Sequence, residues 1–226
     1  QGAFSGSAAS GAQALAGPLT LAEAVRRGVE YNLGALNLGA LVTQGPAGLD
    51  ANHIPFELEP GQGTHGLLTA HVARANPVWQ QCKGSVDVLV IFRGNQSYIS
   101  PNWYPSKHET HRQVPTWNYE VVHVRGRLTV MDEEKFVRGV VARLTREHEV
   151  NEPRPWKMGD SPPDYIDGML RAIVGIEIEI KRIEGKAKLS QNRESRDIHN
   201  AVNELARRDQ HALAATMSAA MPSRDE

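Results

Sequence analysis

Residues able to do chemistry are concentrated at four short places in this chain, beginning with HVARANP at 71–77. Ala70 and His71 would end a strand and Asn76-Pro77 would open a helix. His71, Arg74 and Asn76 would then meet free backbone N–H groups, the outline of an anion site. A surface ion pair for Arg74 and a plain cap for Asn76 satisfy the same residues equally well. The second place is Asn52, His53, Ile54 and Pro55, where polar groups ride on a strand beside apolar Ile54 and Phe56. Buried polar groups need partners, and a bound ligand is one kind of partner. The third is aromatic: Tyr98, Trp103, Tyr104, Trp117 and Tyr119 fall within 22 residues, with Asn118 among them, in a chain that is 6% aromatic. Flat rings at that density suit stacking on a flat ligand or a contact between subunits. The fourth is GKAKLSQNR at 185–193, where Lys186, Lys188, Gln191 and Arg193 offer donors with no acidic residue among them.

Other chemistries lack their signatures. HETH at 108–111 is one residue short of the HExxH zinc spacing and falls in a stretch read as loop, so no metal site is expected. No GxGxxG opens a helix, since GQGTHG at 61–66 reads as a turn into the strand HGLLTAHV, and no GxxxxGK[ST] or GxSxG occurs, so the dinucleotide, P-loop and nucleophile-elbow readings lack their motifs. Cys82 is the only cysteine; it reads as a structural thiol and points to a reducing compartment, the cytoplasm. Lys plus Arg number 25 against 26 acidic residues, so no global field draws in nucleic acid. No run of 18 apolar residues is present, and no membrane partner is expected.

The elements that must hold these places follow from periodicity. Residues 1–17 are Gly, Ala and Ser rich and read as a flexible tail. Residues 18–38 carry Thr20, Glu23 and an apolar stripe of Leu21, Ala24, Val25 and Val29, which predicts an atypical N-terminal helix. This segment resembles the opening helix of outer-membrane efflux channel proteins. Strands are then expected at ALVTQ, LDANHIPFEL, HGLLTAHV, VDVLVIF and TWNYEVVHVRGRLTV, with a turn at Gly45-Pro46-Ala47-Gly48 and a long loop over Tyr98–Pro115. Asp132 reads as the cap of a helix whose Phe136, Val137, Val140, Val141 and Leu144 share a face. DYIDGMLRAIV reads as helix, and Ile176, Ile178 and Ile180 alternate with charges as in a half-exposed final strand. The chain thus divides into the tail, the helix, a domain over 39–193, and a helical extension over 194–226. The fold class is mainly β with peripheral helices, a core of about six strands forming a small barrel.

Taken in order, LVTQGPAGLDANHIPF, HVARANPVW, VIFRGNQSYISPNWYPSK, VPTWNY and DYIDGMLRAIVGIEIEIKRIEGKAKLSQNR closely resemble the PaiB family of FMN-binding negative transcriptional regulators, over roughly residues 41–193. The resemblance implies a six-stranded antiparallel Greek-key split β-barrel that binds FMN as a homodimer. It implies that Asn52, His53, Ile54 and Pro55 lie along the isoalloxazine, that Ala70, His71, Arg74 and Asn76 lie near the phosphate, and that Asn118 faces the ring's polar edge. Lys188 and Gln191 would complete the pocket from the other subunit. The family's usual Met-Tyr-x-Pro-x-x-Phe opening is not found before the first strand. The resemblance alone supplies the regulator role, with DNA or another regulator as partner, because no basic recognition helix is evident. A flavin-dependent oxidoreductase stands as the alternative, followed by haem binding or degradation through His71 or His123. Enzymatic activity is left open.

Overall fold

The computed structural model describes residues 38–221, and the expectations for 1–37 lie outside the described residues. Two strands, β1 (Leu38–Gly45) and β2 (Gly48–Pro55), form the expected hairpin, in register from Leu38 opposite Pro55 to Gly45 opposite Gly48. Next come β3 (Glu57–Glu59), β4 (Leu67–Ala73), a one-turn helix α1 (Val78–Gln81) and β5 (Val86–Ile99). The chain continues through α2 (Pro105–Thr110), β6 (Thr116–Met131), α3 (Glu134–Glu149), α4 (Pro163–Arg171) and β7 (Ile173–Lys188). Two further helices follow, α5 (Ser195–Ala206) and α6 (His211–Ala219). The sheet order is β2-β1-β5-β6-β7-β4-β3.

The sheet therefore has seven strands among the described residues rather than six, because one expected strand is interrupted. Pro55 has no N–H to give to a ladder, and the following Phe56 is buried edge-on to Phe92, with ring centroids 5.9 Å apart. The pieces on either side, β2 and β3, stand at opposite ends of the strand order, and the hydrogen-bonded sheet is open there. Three local expectations also change. The stretch over Tyr98–Pro115 is not all loop: it holds the end of β5, a 3-10 turn at Pro101–Trp103 and α2, each helical piece starting on a proline. Asp132 does not cap α3, whose cap position is Glu133, and its carboxylate is used elsewhere. The final strand runs on through Gly185 to Lys188, so Lys186 and Lys188 lie on a strand rather than after it.

The described residues form two compact units, one of 38–92 with 123–183 and the other of 93–122 with 184–221. In the first, strand alternation defines two faces. Leu41, Ile54, Val88, Val90 and Phe92 are buried, as are Ile176, Ile178 and Ile180 of β7, as their alternation predicts. Helix α3 buries Val137, Val140 and Leu144, and Val137 packs with Ile166 and Leu170 of α4. Gly175 makes this packing possible, since a Cβ there would come 2.6 Å from the Phe136 ring and 2.7 Å from the Met131 carbonyl oxygen. In the second unit, Ile99, Tyr104, Leu189, Ile198, Leu205, Leu213 and Met217 form one apolar cluster. Beside it the buried Asp197 carboxylate accepts from the Ser106 amide at 3.0 Å and its hydroxyl at 2.5 Å.

Candidate functional site

Two arrangements in the first unit could hold a ligand, a corner at the end of β4 and a partly exposed sheet face. At the corner, the Arg74 amide donates to the Ala172 carbonyl at 2.8 Å, which fixes the chain as it leaves β4. The guanidinium then spreads over its surroundings: Nε donates to the Arg171 carbonyl at 2.7 Å and Nη2 to that of Ile173 at 3.1 Å. Nη1 and Nη2 grip the Asp132 carboxylate at 2.9 and 2.6 Å, a two-pronged pair. The bond from Arg74 holds the Asp132 carboxyl below its ordinary pKa. Asn76 accepts the Val78 N–H at 3.0 Å while Pro77 takes the cap position, so Pro77 precedes the first helical residue instead of occupying it. The Asn76 amide donates to Asn52 at 2.7 Å, joining two residues 24 positions apart. Trp79 seals the corner, its indole N–H donating to the Arg74 carbonyl at 2.9 Å. Its ring takes Arg74 at 5.7 Å and Lys83 at 5.5 Å from the centroid.

The sheet face follows from register. Directly opposite residues of an antiparallel pair point to the same side. One row reads His53, Ala40, Ile91, and the next Ala51, Val42, Leu89. These residues are half-buried or exposed, in contrast to Leu41, Asn52 and Val90 on the reverse side of the same strands, of which Leu41 and Val90 are buried. Leu38 and Leu49, 62% and 76% exposed, extend the strip at its ends. It is apolar and edged by a histidine.

The remaining residues expected at a site are dispersed. Ile54 is buried and points to the side of β2 opposite His53, while Pro55 is exposed. Ala70 is fully buried and offers only its backbone. His71 shares the side of β4 with Thr69, which lies within reach of Glu57 and of Arg143 on α3, at 3.4 and 3.5 Å. Burial lowers the His71 pKa, and its Nδ1 is buried with no hydrogen-bond partner among the described residues. In the second unit, Asn118 is fully buried, its amide donating to Ser190 Oγ at 2.9 Å and to Met217 Sδ at 3.3 Å. Lys188 donates to Thr116 at 2.5 Å. Gln191 closes its own turn, accepting from the Leu189 amide at 2.8 Å and donating to the Ala187 carbonyl at 2.9 Å. Sequence reasoning missed Asp132, Trp79, Lys83 and the apolar rows. Only the four-residue spacing of Trp79 and Lys83 carried a local signal.

A flat heteroaromatic ring with a phosphate tail requires a flat apolar surface and a nearby cation. The strip supplies an apolar surface, Lys83 beside Trp79 a cation, and the buried His71 Nδ1 a polar atom with no hydrogen-bond partner among the described residues. The residues present fit FMN on those grounds.

Comparison with known proteins agrees. The family model described as "Putative FMN-binding domain" matches residues 22–182, beginning ahead of the resembling blocks at 41–193. The chain is 30% identical over 187 residues to "Protease synthase and sporulation protein PAI 2" of Bacillus subtilis, covering 83% of this chain and 85% of that protein. It is 30% identical over 174 residues to the uncharacterized protein AN0679 of Emericella nidulans, covering 63% and 69%. Among solved structures, the flavocytochrome Anf3 from Azotobacter vinelandii superimposes with a TM-score of 0.51 at 13% identity, over 72% of this chain and 67% of that one. That likeness is one of fold. With a family match across most of its length and a relative of this similarity, the chain belongs to the PaiB family of FMN-binding proteins and has FMN as its cofactor.

Proposed function

We propose that the protein is a homodimeric, FMN-binding negative regulator of transcription that works in the cytoplasm, alone on DNA or through another regulator. The observation that carries the reading is the partly exposed apolar strip of β2, β1 and β5, because an apolar sheet face open to solvent among the described residues is the kind of surface that a flat ligand or a second subunit covers. In this reading the FMN ring lies along the strip beside His53, and Asn52, His71, Arg74 and Asn76 shape the corner at the end of β4 near which the phosphate lies. Asn118, Lys188 and Gln191 are assigned to the ring's polar edge and to the second subunit by family resemblance. β2 and β3 act as one strand bent at Phe56, which gives the strand order of a six-stranded Greek-key split barrel. The bound flavin supplies a redox-active ring, and the chain's own residues bind it, orient it and exclude water from one side.

The test is direct. FMN-loaded protein should run at the mass of a dimer in light scattering and retard the DNA upstream of its own reading frame at low salt. Unretarded DNA at every protein concentration would remove direct repression. A second reading, flavin-dependent oxidoreductase, is favoured by one feature, the exposed His53 at the border of the strip, where a proton donor would stand beside a reduced ring. Failure of every nicotinamide donor to bleach the bound flavin would dispose of it.

A further inference from the structure

Lys83 stands apart from the other cation of its corner. The Arg74 charge is already answered by the Asp132 carboxylate, at 2.6 and 2.9 Å, and four of its N–H groups are committed, two to Asp132 and two to the Arg171 and Ile173 carbonyls. A phosphate arriving there meets an ion pair whose charges cancel. Asn76 is also spent, its oxygen on the Val78 amide and its nitrogen on Asn52. Lys83 is held differently: its ammonium lies 5.5 Å from the Trp79 ring centroid, with no carboxylate partner among the described residues. An aromatic ring orients a cation without neutralising it, because the attraction comes from the ring's quadrupole rather than from a counter-charge. Gly84, at a φ of +91°, turns the chain immediately after Lys83, and a Cβ there would meet nothing within 4 Å.

We infer that Lys83, steered by Trp79, supplies the positive charge that receives the ligand's phosphate at the end of β4, while Arg74 serves as the structural pin of that corner. The inference rests on the FMN reading and deepens it. It makes phosphate recognition separable from recognition of the ring.

The experiment compares FMN with riboflavin, which has the same ring and no phosphate, by quenching of flavin fluorescence on the purified full chain. For Lys83→Gln, FMN affinity should fall by about tenfold or more, the worth of one charge-assisted bond, with riboflavin affinity unchanged. Lys83→Arg should retain most of the FMN affinity. The salt dependence of FMN binding should also be shallower in Lys83→Gln than in the parent protein. FMN binding by Lys83→Gln equal to that of the parent overturns the inference, and so does an equal loss of FMN and riboflavin, which would mean that the lysine acts on the fold or the ring. A parent protein that binds neither flavin overturns the FMN reading instead.

Discussion

Replacing Arg74 separates a pin from a ligand contact. Arg74→Ala removes two bonds to backbone carbonyls and the two-pronged pair with Asp132. The side chains of the pair are 40% and 42% exposed, so solvent screening limits it to about 0–1 kcal/mol. The two carbonyl bonds contribute ~1 kcal/mol each, since an intramolecular bond only replaces one to water. Arg74→Ala should therefore destabilise the protein without flavin by about 2–3 kcal/mol, a fall in Tm of roughly 4–10 °C for a chain of this size. Asp132→Asn breaks only the charged part and should cost less than ~1 kcal/mol. The pH dependence has a definite sign. Asp132 titrates below its ordinary value in the folded protein, so its contribution is present above the unfolded-state pKa and is lost as pH falls through the folded one. Urea unfolding of the flavin-free parent, both single variants and the double variant, at neutral pH and near pH 3, gives the coupling directly. The reasoning fails if Arg74→Ala leaves flavin-free stability intact while FMN affinity collapses, because the guanidinium would then be held for the ligand.

Other consequences are equally specific. Gly175→Ala forces a methyl group against Phe136 and the Met131 carbonyl and should cost about 1–3 kcal/mol, read from the shift in urea midpoint. Glu120 is buried, and desolvation raises its pKa, so Glu120→Gln should raise stability at pH 7, with the gain disappearing below the unfolded carboxylate pKa. Unfolding midpoints that do not move with pH in the expected sense would contradict the assignment. Val42→Lys puts a charge on the strip and should abolish the proposed dimer in light scattering and weaken both FMN and riboflavin, with little change in flavin-free stability because Val42 is only half-buried.

Local patterns in the sequence reached the elements whose side chains answer to near neighbours. The Pro46-Ala47 hairpin, the apolar face of α3 and the alternating isoleucines of β7 all follow from spacing alone. Asp132 was misread because an Asp before a helix is normally a cap, whereas its true partner lies 58 residues earlier, a distance that local patterns do not carry. The break at Phe56 was hidden by a continuous apolar and polar alternation that only the missing N–H of Pro55 interrupts. The apolar strip depends on which residues of β2, β1 and β5 stand side by side, and register between strands is set by the packed sheet. The proline-rich stretch after Tyr98 read as loop because three prolines outweighed the fact that Pro101 and Pro105 each stand where a helix can begin.

Titration of the purified, flavin-free chain with FMN, followed by absorbance and fluorescence of the flavin, tests the central claim most directly. The account predicts saturation at one FMN per chain, with FMN bound more tightly than riboflavin. A flavin spectrum that never changes on adding the protein would contradict it.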